Sequence, residues 1–236
     1  RGVCQVQLVG YPGGPQWETD DLESQQDGTQ VAMVEGMTPD DLWKSYRRSR
    51  RQDIRKIRER GVEVSQSLDP QDVDAVHQCY LETMERTGGV ARYKRRLLHA
   101  IVRHVCASDR GRMYVARRAG EVLAGMLIVD SAEWSHGLLL AARTHARDAQ
   151  PNKLLLHTAL EDTIHHQRRG LDYMPSGQSA SGVASFKNLW GAETQPIWHH
   201  TLVTQPVRSW LWRRAYATAS RPPFRALLSM IRKRET

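Results

Sequence analysis

Asp172 is the carboxylate best placed to do chemistry. It sits in a short apolar segment, Leu171 to Met174, directly after a long helical stretch, and strand ends of that kind are where open sheets present ligands. A carboxylate there can take a proton from an attacking nucleophile. Equally, it can cap the polar loop that follows, Ser176-Gly177-Gln178-Ser179, through that loop's N–H groups. The loop, with Ser176 and Gly177 at its head, is itself a candidate to touch an anion. A second pattern is basic: residues 44–60 carry nine Lys or Arg against two acids. That density suits the phosphates of a nucleic acid or of a donor molecule, and it also suits a solvated helix face. The histidines make a third pattern. Glu161 with His165, and Asp162 with His166, stand four apart on one helix. With no HExxH and no partnering cysteines they read as ordinary helix-surface pairs, and no metal is expected.

The elements that must position these groups can be read from periodicity. Thr38 caps a helix, with Pro39 at its first position and Asp40 and Asp41 in its first turn; the helix is expected to run unbroken to Gly61. Residues 62–67 alternate as a half-buried strand. A helix follows Asp69, with Val73, Val76, Tyr80 and Met84 on one face, and ends before Gly88. Another spans roughly 92–107. Strands at 113–118, through 129 and at 134–141 follow with short turns, as in an antiparallel meander. Then come a long helix, 153–169, a short strand at 171–174, a helix at 181–190 and a strand at 193–203. Residues 10–29 read as an acidic loop and 30–34 as a strand. This order is that of an α+β domain of mixed layers.

The chain has 236 residues, 40% hydrophobic and 25% charged, so whole-chain disorder is excluded. Its longest apolar stretch, Val122 to Val129, stops at Asp130, well short of the ~20 residues that span a bilayer. Net charge is +8 and unevenly spread: residues 1–41 hold one basic and eight acidic side chains, a net of −7, leaving +15 for the rest. Such a field favours an anionic partner. Cys4, Cys79 and Cys106 are odd in number and far apart, which supports neither a disulfide framework nor a zinc site and favours a reducing, cytoplasmic compartment. The segment 206–236 mixes Trp210, Trp212, Leu227 and Ile231 with eight basic residues. It is expected to be a basic amphipathic helical tail, able to lie on an anionic membrane surface or to dock on the domain.

Several segments together resemble the FemAB-like (CelD-like) branch of the GNAT acyltransferase superfamily. Residues 115–128, VARRAGEVLAGMLI, are similar to its hairpin, A-x-x-x-G-x-x-x-A-G. Gln150-Pro151-Asn152-Lys153-Leu154-Leu155 resembles the start of its central helix, and Gly170-Leu171-Asp172-Tyr173 the segment after that helix. Residues 182–192, GVASFKNLWGA, resemble its most diagnostic run, G-x-x-x-F-K-x-x-x-G-A. Residues 46–62 resemble its basic helix. The likeness covers about residues 38–203.

The resemblance implies a GNAT-like fold: a central mixed, largely antiparallel sheet, flanked by helices, whose middle strands splay around an acyl donor. It implies transfer of an acetyl or aminoacyl group from acyl-CoA (acetyl-CoA) or an aminoacyl-tRNA to an amine, in cell-envelope or polysaccharide synthesis. Within that reading Lys187 holds charge that develops on the donor, and Asp172 is the second catalytic residue. Arg147, Asn152, Ser176, Gly177 and Phe186 line the substrate site, Phe186 chiefly as packing. Many GNAT enzymes cradle the donor's pyrophosphate with Q/R-x-x-G-x-G/A. Here that place reads Arg147-Asp148-Ala149-Gln150-Pro151-Asn152: the first Arg fits, both glycines are absent, and Pro151 has no N–H. The FemAB-like branch generally lacks this loop, so coenzyme A and tRNA both stay open as donors. The implied layout is a remnant of a preceding, truncated GNAT-like unit at 1–35, a GNAT-like domain at 36–205 and the tail at 206–236. The reading from another class is a silent basic module that holds RNA or anionic lipid through Arg47, Arg48, Arg50 and Arg51. Specific DNA binding is not expected.

Overall fold

The computed structural model describes residues 5–17, 19, 22–175 and 181–219. Its elements are β1 (Gln5–Val9), β2 (Leu22–Met33), α1 (Pro39–Ser45), α2 (Arg48–Glu59), β3 (Glu63–Gln66), α3 (Pro70–Thr87), α4 (Arg95–His104), β4 (Gly111–Arg118), β5 (Glu121–Asp130), β6 (Trp134–Ala142), α5 (Pro151–His165), β7 (Gly170–Asp172), α6 (Ser181–Leu189), β8 (Ala192–Val203) and α7 (Pro206–Ala219). The chain divides into two compact units, Gly28–Gln195 and, together, Arg1–Asp27 with Pro196–Thr236.

In the larger unit the strands lie in the order β2-β7-β6-β5-β4-β3. All neighbours run antiparallel except β6 and β7, which are parallel. The sheet is therefore mixed and largely antiparallel, as the sequence implies. Hydrophobic residues cover both of its faces. On one, α1, α2 and α5 bring Leu42, Ile54, Ile57, Leu155 and Leu160 onto Tyr114, Leu123 and Leu171. On the other, α3 and α4 bring Val73, Val76, Leu98 and Val102 onto Met113, Val115 and Leu139. Burying each such aliphatic side chain is worth about 1.5–3 kcal/mol before the cost of ordering it. Gly125 lets α3 lie close to β5, because a Cβ there would collide with the Val76 side chain.

The caps follow the sequence. The Thr38 hydroxyl accepts the Asp41 N–H at 3.2 Å while the Asp41 carboxylate accepts the Thr38 N–H at 3.0 Å. Asp69 Oδ1 accepts the Gln71 N–H at 2.8 Å, and Pro70 opens α3. Gly88 ends α3 in the left-handed region, φ 65°.

Three expectations change. The basic helix is broken: Tyr46 and Arg47 are extended, with ψ of 139° and 150°, so α1 and α2 are separate. Arg and Lys are good helix formers and the run hides the break, but burial of the Tyr46 ring overrides propensity. Second, β2 begins at Leu22, inside the stretch read as loop. Residues 22–28 alternate among polar side chains and are mostly exposed, so no apolar signal marks them. Third, α5 stops at His165, and Gln167 takes a positive φ of 53° to turn the chain toward β7.

In the smaller unit β1 pairs antiparallel with β8, Gln5 opposite Val203 and Val9 opposite His199. Trp17 stacks on the buried His200 at 4.8 Å, and Ser24 Oγ lies 2.8 Å from His200 Nδ1. On α7, Ser209 is buried and donates to Gln5 Oε1 at 2.9 Å, while Val207, Trp210 and Leu211 are exposed. Residues 220–236 of the expected tail lie outside the described residues. Among the described residues no helix is long and apolar enough to cross a membrane.

Candidate active site

A fork in the sheet organises the site. β6 and β7 pair for three residues, Trp134 with Gly170, Ser135 with Leu171 and His136 with Asp172. β7 ends there, while β6 continues to Ala142 against β5 alone. From Gly137 onward β6 therefore has no ladder partner on its β7 side among the described residues. Gly137 stands at the point of divergence, where an added Cβ would lie 3.5 Å from the Asp172 carbonyl oxygen. A strand edge of this kind offers backbone N–H groups to a carbonyl seated in the fork.

Asp172 is buried at the tip of β7. Its Oδ1 accepts the Thr29 hydroxyl at 2.5 Å and the Met174 N–H at 2.8 Å; its Oδ2 lies 3.0 Å from His136 Nδ1. His136 Nε2 in turn lies 3.1 Å from the hydroxyl of the exposed Ser131. The carboxylate is thus held from three directions, and one of its bonds caps the loop that follows the strand. The backbone bond goes to Met174; Ser176-Gly177-Gln178-Ser179 lie outside the described residues.

Lys187 projects from α6, and its Nζ donates to the Met174 carbonyl oxygen at 2.6 Å. Met174 therefore joins the two predicted residues, its N–H to Asp172 and its carbonyl to Lys187. It does so from a left-handed backbone, φ 62°, which a non-glycine residue adopts at a cost of about 1–3 kcal/mol. Burial pulls the Lys187 pKa down to about 8, against the opposing pull of the Asp172 carboxylate. The ammonium is partly desolvated and close to losing its proton at ordinary pH.

Arg147 and Asn152 form a second pair, on either side of Gln150 at the start of α5. Arg147 is exposed, and its side chain has no hydrogen-bond or ion-pair partner among the described residues. Asn152 Oδ1 is buried and likewise without a partner among them. The Lys153 N–H turns back to Gln150 O at 3.0 Å, and Pro151 has none, so α5 opens with few free backbone donors. The Lys153 ammonium is taken by Asp53 at 2.6 Å. Phe186 packs against the core, its ring 6.5 Å from that of Trp190. Ser176 and Gly177 lie outside the described residues.

The acid–histidine pairs have other work. Asp162 contacts Arg112 Nε at 2.8 Å and accepts the Tyr114 hydroxyl, and His166 is 3.6 Å away. Glu161 faces His157 at 3.5 Å. Among the described residues no group of three or more His, Cys, Asp or Glu could hold a metal ion. Cys79 and Cys106 are free and buried, and burial pushes both thiols up to about 11, which leaves them inert as nucleophiles.

Sequence reasoning passed over His136 and Thr29. Neither carries a local signal: one lies on a strand of the meander, the other in a stretch read as loop. They reach Asp172 across 36 and 143 residues, and only the strand order reveals it.

The family model of the acetyltransferase (GNAT) domain matches residues 44–188. Among solved structures the chain is similar to FemX (TM-score 0.64, 15% identity, covering 78% of this chain and 63% of that one). It is also similar to a conserved protein of unknown function from Bacteroides thetaiotaomicron (TM-score 0.54, 11% identity, 78% and 63%). A third likeness is to L-PGS from Bacillus licheniformis (TM-score 0.53, 12% identity, 76% and 62%). These identities establish likeness of fold. The chain spans less than two thirds of the length of each of the three. No curated protein matches it.

Proposed function

The chain belongs to the acetyltransferase (GNAT) domain family, and from that premise we propose that it is an N-acyltransferase of the FemAB-like branch. Its donor is a thioester such as acetyl-CoA or an aminoacyl-tRNA, and its acceptor is an amine on a cell-envelope or polysaccharide precursor. The observation that carries the reading is the β6–β7 fork with Asp172, Met174 and Lys187 gathered at its edge. The donor carbonyl sits in the fork, where β6 beyond His136 can supply backbone N–H donors to its oxygen. The amine nitrogen attacks the carbonyl carbon, the bond to sulfur or to the tRNA oxygen breaks, and the proton leaving the nitrogen passes, through water, to the departing sulfur or oxygen. Negative charge grows on the carbonyl oxygen and then on the leaving group, and the Lys187 ammonium stabilises it. Asp172 is the positioning residue. It fixes Met174, and Met174 aims Lys187. Arg147 and Asn152 at the start of α5 hold the donor's anionic end in place of a backbone cradle. The protein is read as cytoplasmic, with peripheral membrane contact through the segment after residue 205.

The deciding experiment is transfer from acetyl-CoA and from an aminoacyl-tRNA to a panel of amines, comparing wild type with Lys187→Ala. Turnover that falls steeply in the variant, with its melting temperature kept, supports the reading. Equal turnover in both sinks the role of Lys187. A wild-type protein that transfers to no amine, yet binds RNA or anionic vesicles through Arg47, Arg48 and Arg51, favours the silent module.

A further inference from the structure

The basic run is not uniform. Arg47 and Arg48 are exposed, whereas Arg50 is drawn inward and clamped. Its Cζ lies 5.0 Å from the centroid of the Tyr46 ring and 4.9 Å from that of Trp190. The two rings meet edge to face, 5.6 Å apart at 83°, and so wall the guanidinium on two sides. Both walls are fixed. The Tyr46 hydroxyl lies 3.4 Å from Nδ1 of the buried His157, and the Tyr173 hydroxyl donates to the Trp190 carbonyl at 3.3 Å.

The rings attract the charge but accept none of the five N–H donors of the guanidinium. Other inward arginines of this unit have carboxylates: Arg112 has Asp130 and Asp162, and Arg143 has Glu82. The Arg50 side chain makes no hydrogen bond or ion pair among the described residues; its backbone N–H closes the first turn of α2 on Arg47 O at 3.0 Å. Burial lowers its pKa from the ordinary value, as expected of a cation without a counter-charge. Its anchors are also informative. Tyr173 follows Asp172 directly, and Trp190 stands three residues after Lys187, so the elements that carry the candidate active site also carry the clamp.

We infer that Arg50 is a receptor for an oxyanion, a phosphate or carboxylate group borne by one of the protein's substrates. The planar fork pairs with two oxygens at once, and the rings hold it ready, so little rotamer freedom is lost on binding. The inference rests on the acyl-transfer reading only for which molecule carries the anion; binding itself needs no turnover.

The test is calorimetric titration of the full chain with inorganic pyrophosphate, coenzyme A, pantetheine, glycylglycine and glycylglycinamide. If the donor supplies the anion, pyrophosphate and coenzyme A bind and pantetheine binds more weakly. If the acceptor supplies it, glycylglycine binds and its amide does not. In either case Arg50→Lys and Arg50→Gln weaken the preferred probe by about tenfold or more, the loss expected for a bidentate charged hydrogen bond. Arg48→Gln, on the exposed face of the same helix, stays within about twofold. Arg50→Lys keeps a charge over the rings, so its loss at an unchanged melting temperature isolates the fork. Wild-type chain supplies an independent readout: the bound probe slows phenylglyoxal modification of Arg50. The inference is overturned if no oxyanion probe binds, if both Arg50 variants bind as wild type, if Arg48→Gln loses as much, or if Arg50 is not protected. An inactive Lys187→Ala that still binds pyrophosphate separates this site from the transfer chemistry.

Discussion

Two buried aspartates in the same sheet have opposite surroundings. Asp130, at the end of β5, is saturated. Arg112 donates to it at 2.5 and 2.9 Å, Ser135 donates at 2.7 Å, and Arg112 Nε lies against Asp162 at 2.8 Å. Asp130 and the half-buried Asp162 share one buried arginine, and the cluster has little left to offer a ligand. Asp172, at the end of β7, has no arginine partner among the described residues. A hydroxyl, a backbone N–H and an imidazole hold it, and the nearby cation, Lys187, donates to a carbonyl instead. The first arrangement spends its charge on the fold. In the second, the cation is incompletely compensated, and its depressed pKa is the physical sign of that. Strand geometry explains the placement. Asp130 sits where β5 and β6 are joined by a tight turn, whereas Asp172 sits where β6 and β7 part.

The contrast is broken most directly at Arg112. Arg112→Ala leaves the buried Asp130 carboxylate without its bidentate partner, and a loss of about 3–5 kcal/mol in unfolding free energy is expected in urea titration. Acyl transfer per folded molecule should be unchanged; a selective loss of turnover at full stability would erase the distinction. Lys187→Ala is the mirror case. Turnover should fall by about 10²–10³, with a melting temperature equal to or above that of wild type, since removing a desolvated cation costs the fold little. The pH dependence sharpens this. The Lys187 cation is present below its pKa of about 8, so wild-type turnover should decline as pH rises through that value. The folded state binds this proton less tightly than the unfolded state does. Between pH about 8 and 10.5 Lys187 therefore makes stability rise with pH, and Lys187→Ala should abolish both trends.

A third buried polar group tests the rule away from both aspartates. His157 is held neutral by burial and by the Arg58 charge, its pKa down at about 4 from 6.5. The unfolded chain takes up a proton here first, so stability should drop as pH falls from 6.5 to 4, by about 3 kcal/mol in all. His157→Gln should flatten that slope in acid denaturation followed by circular dichroism. The smallest effect belongs to Thr29. Thr29→Val removes one hydrogen bond to the Asp172 carboxylate and should cost about 1.5 kcal/mol, with turnover reduced alongside because Asp172 then holds Met174 less firmly. Unchanged turnover would make Asp172 a purely structural group.

The sequence by itself determined what is local. The Thr38 and Asp69 caps, the proline starts, the apolar face of α3 and the turns of the meander each depend on residues within a turn or two of one another. So does the pattern around Phe186 and Lys187, on which the family resemblance rests. Tertiary structure decided what depends on distant partners. The break at Tyr46 follows from a ring buried among His157 and Trp190. After Leu22 the first half of β2, residues 23–28, holds only polar side chains and a glycine, so no apolar alternation announces it in the sequence. His136 and Asp172 meet because β6 and β7 pair in parallel with a whole helix between them. Arg50 looks like its neighbours in sequence and differs only in the two rings beside it. Helical and turn hydrogen bonds close within a few residues and leave a periodic trace. A strand pair or an aromatic clamp is specified by both partners at once, and neither segment alone contains that information.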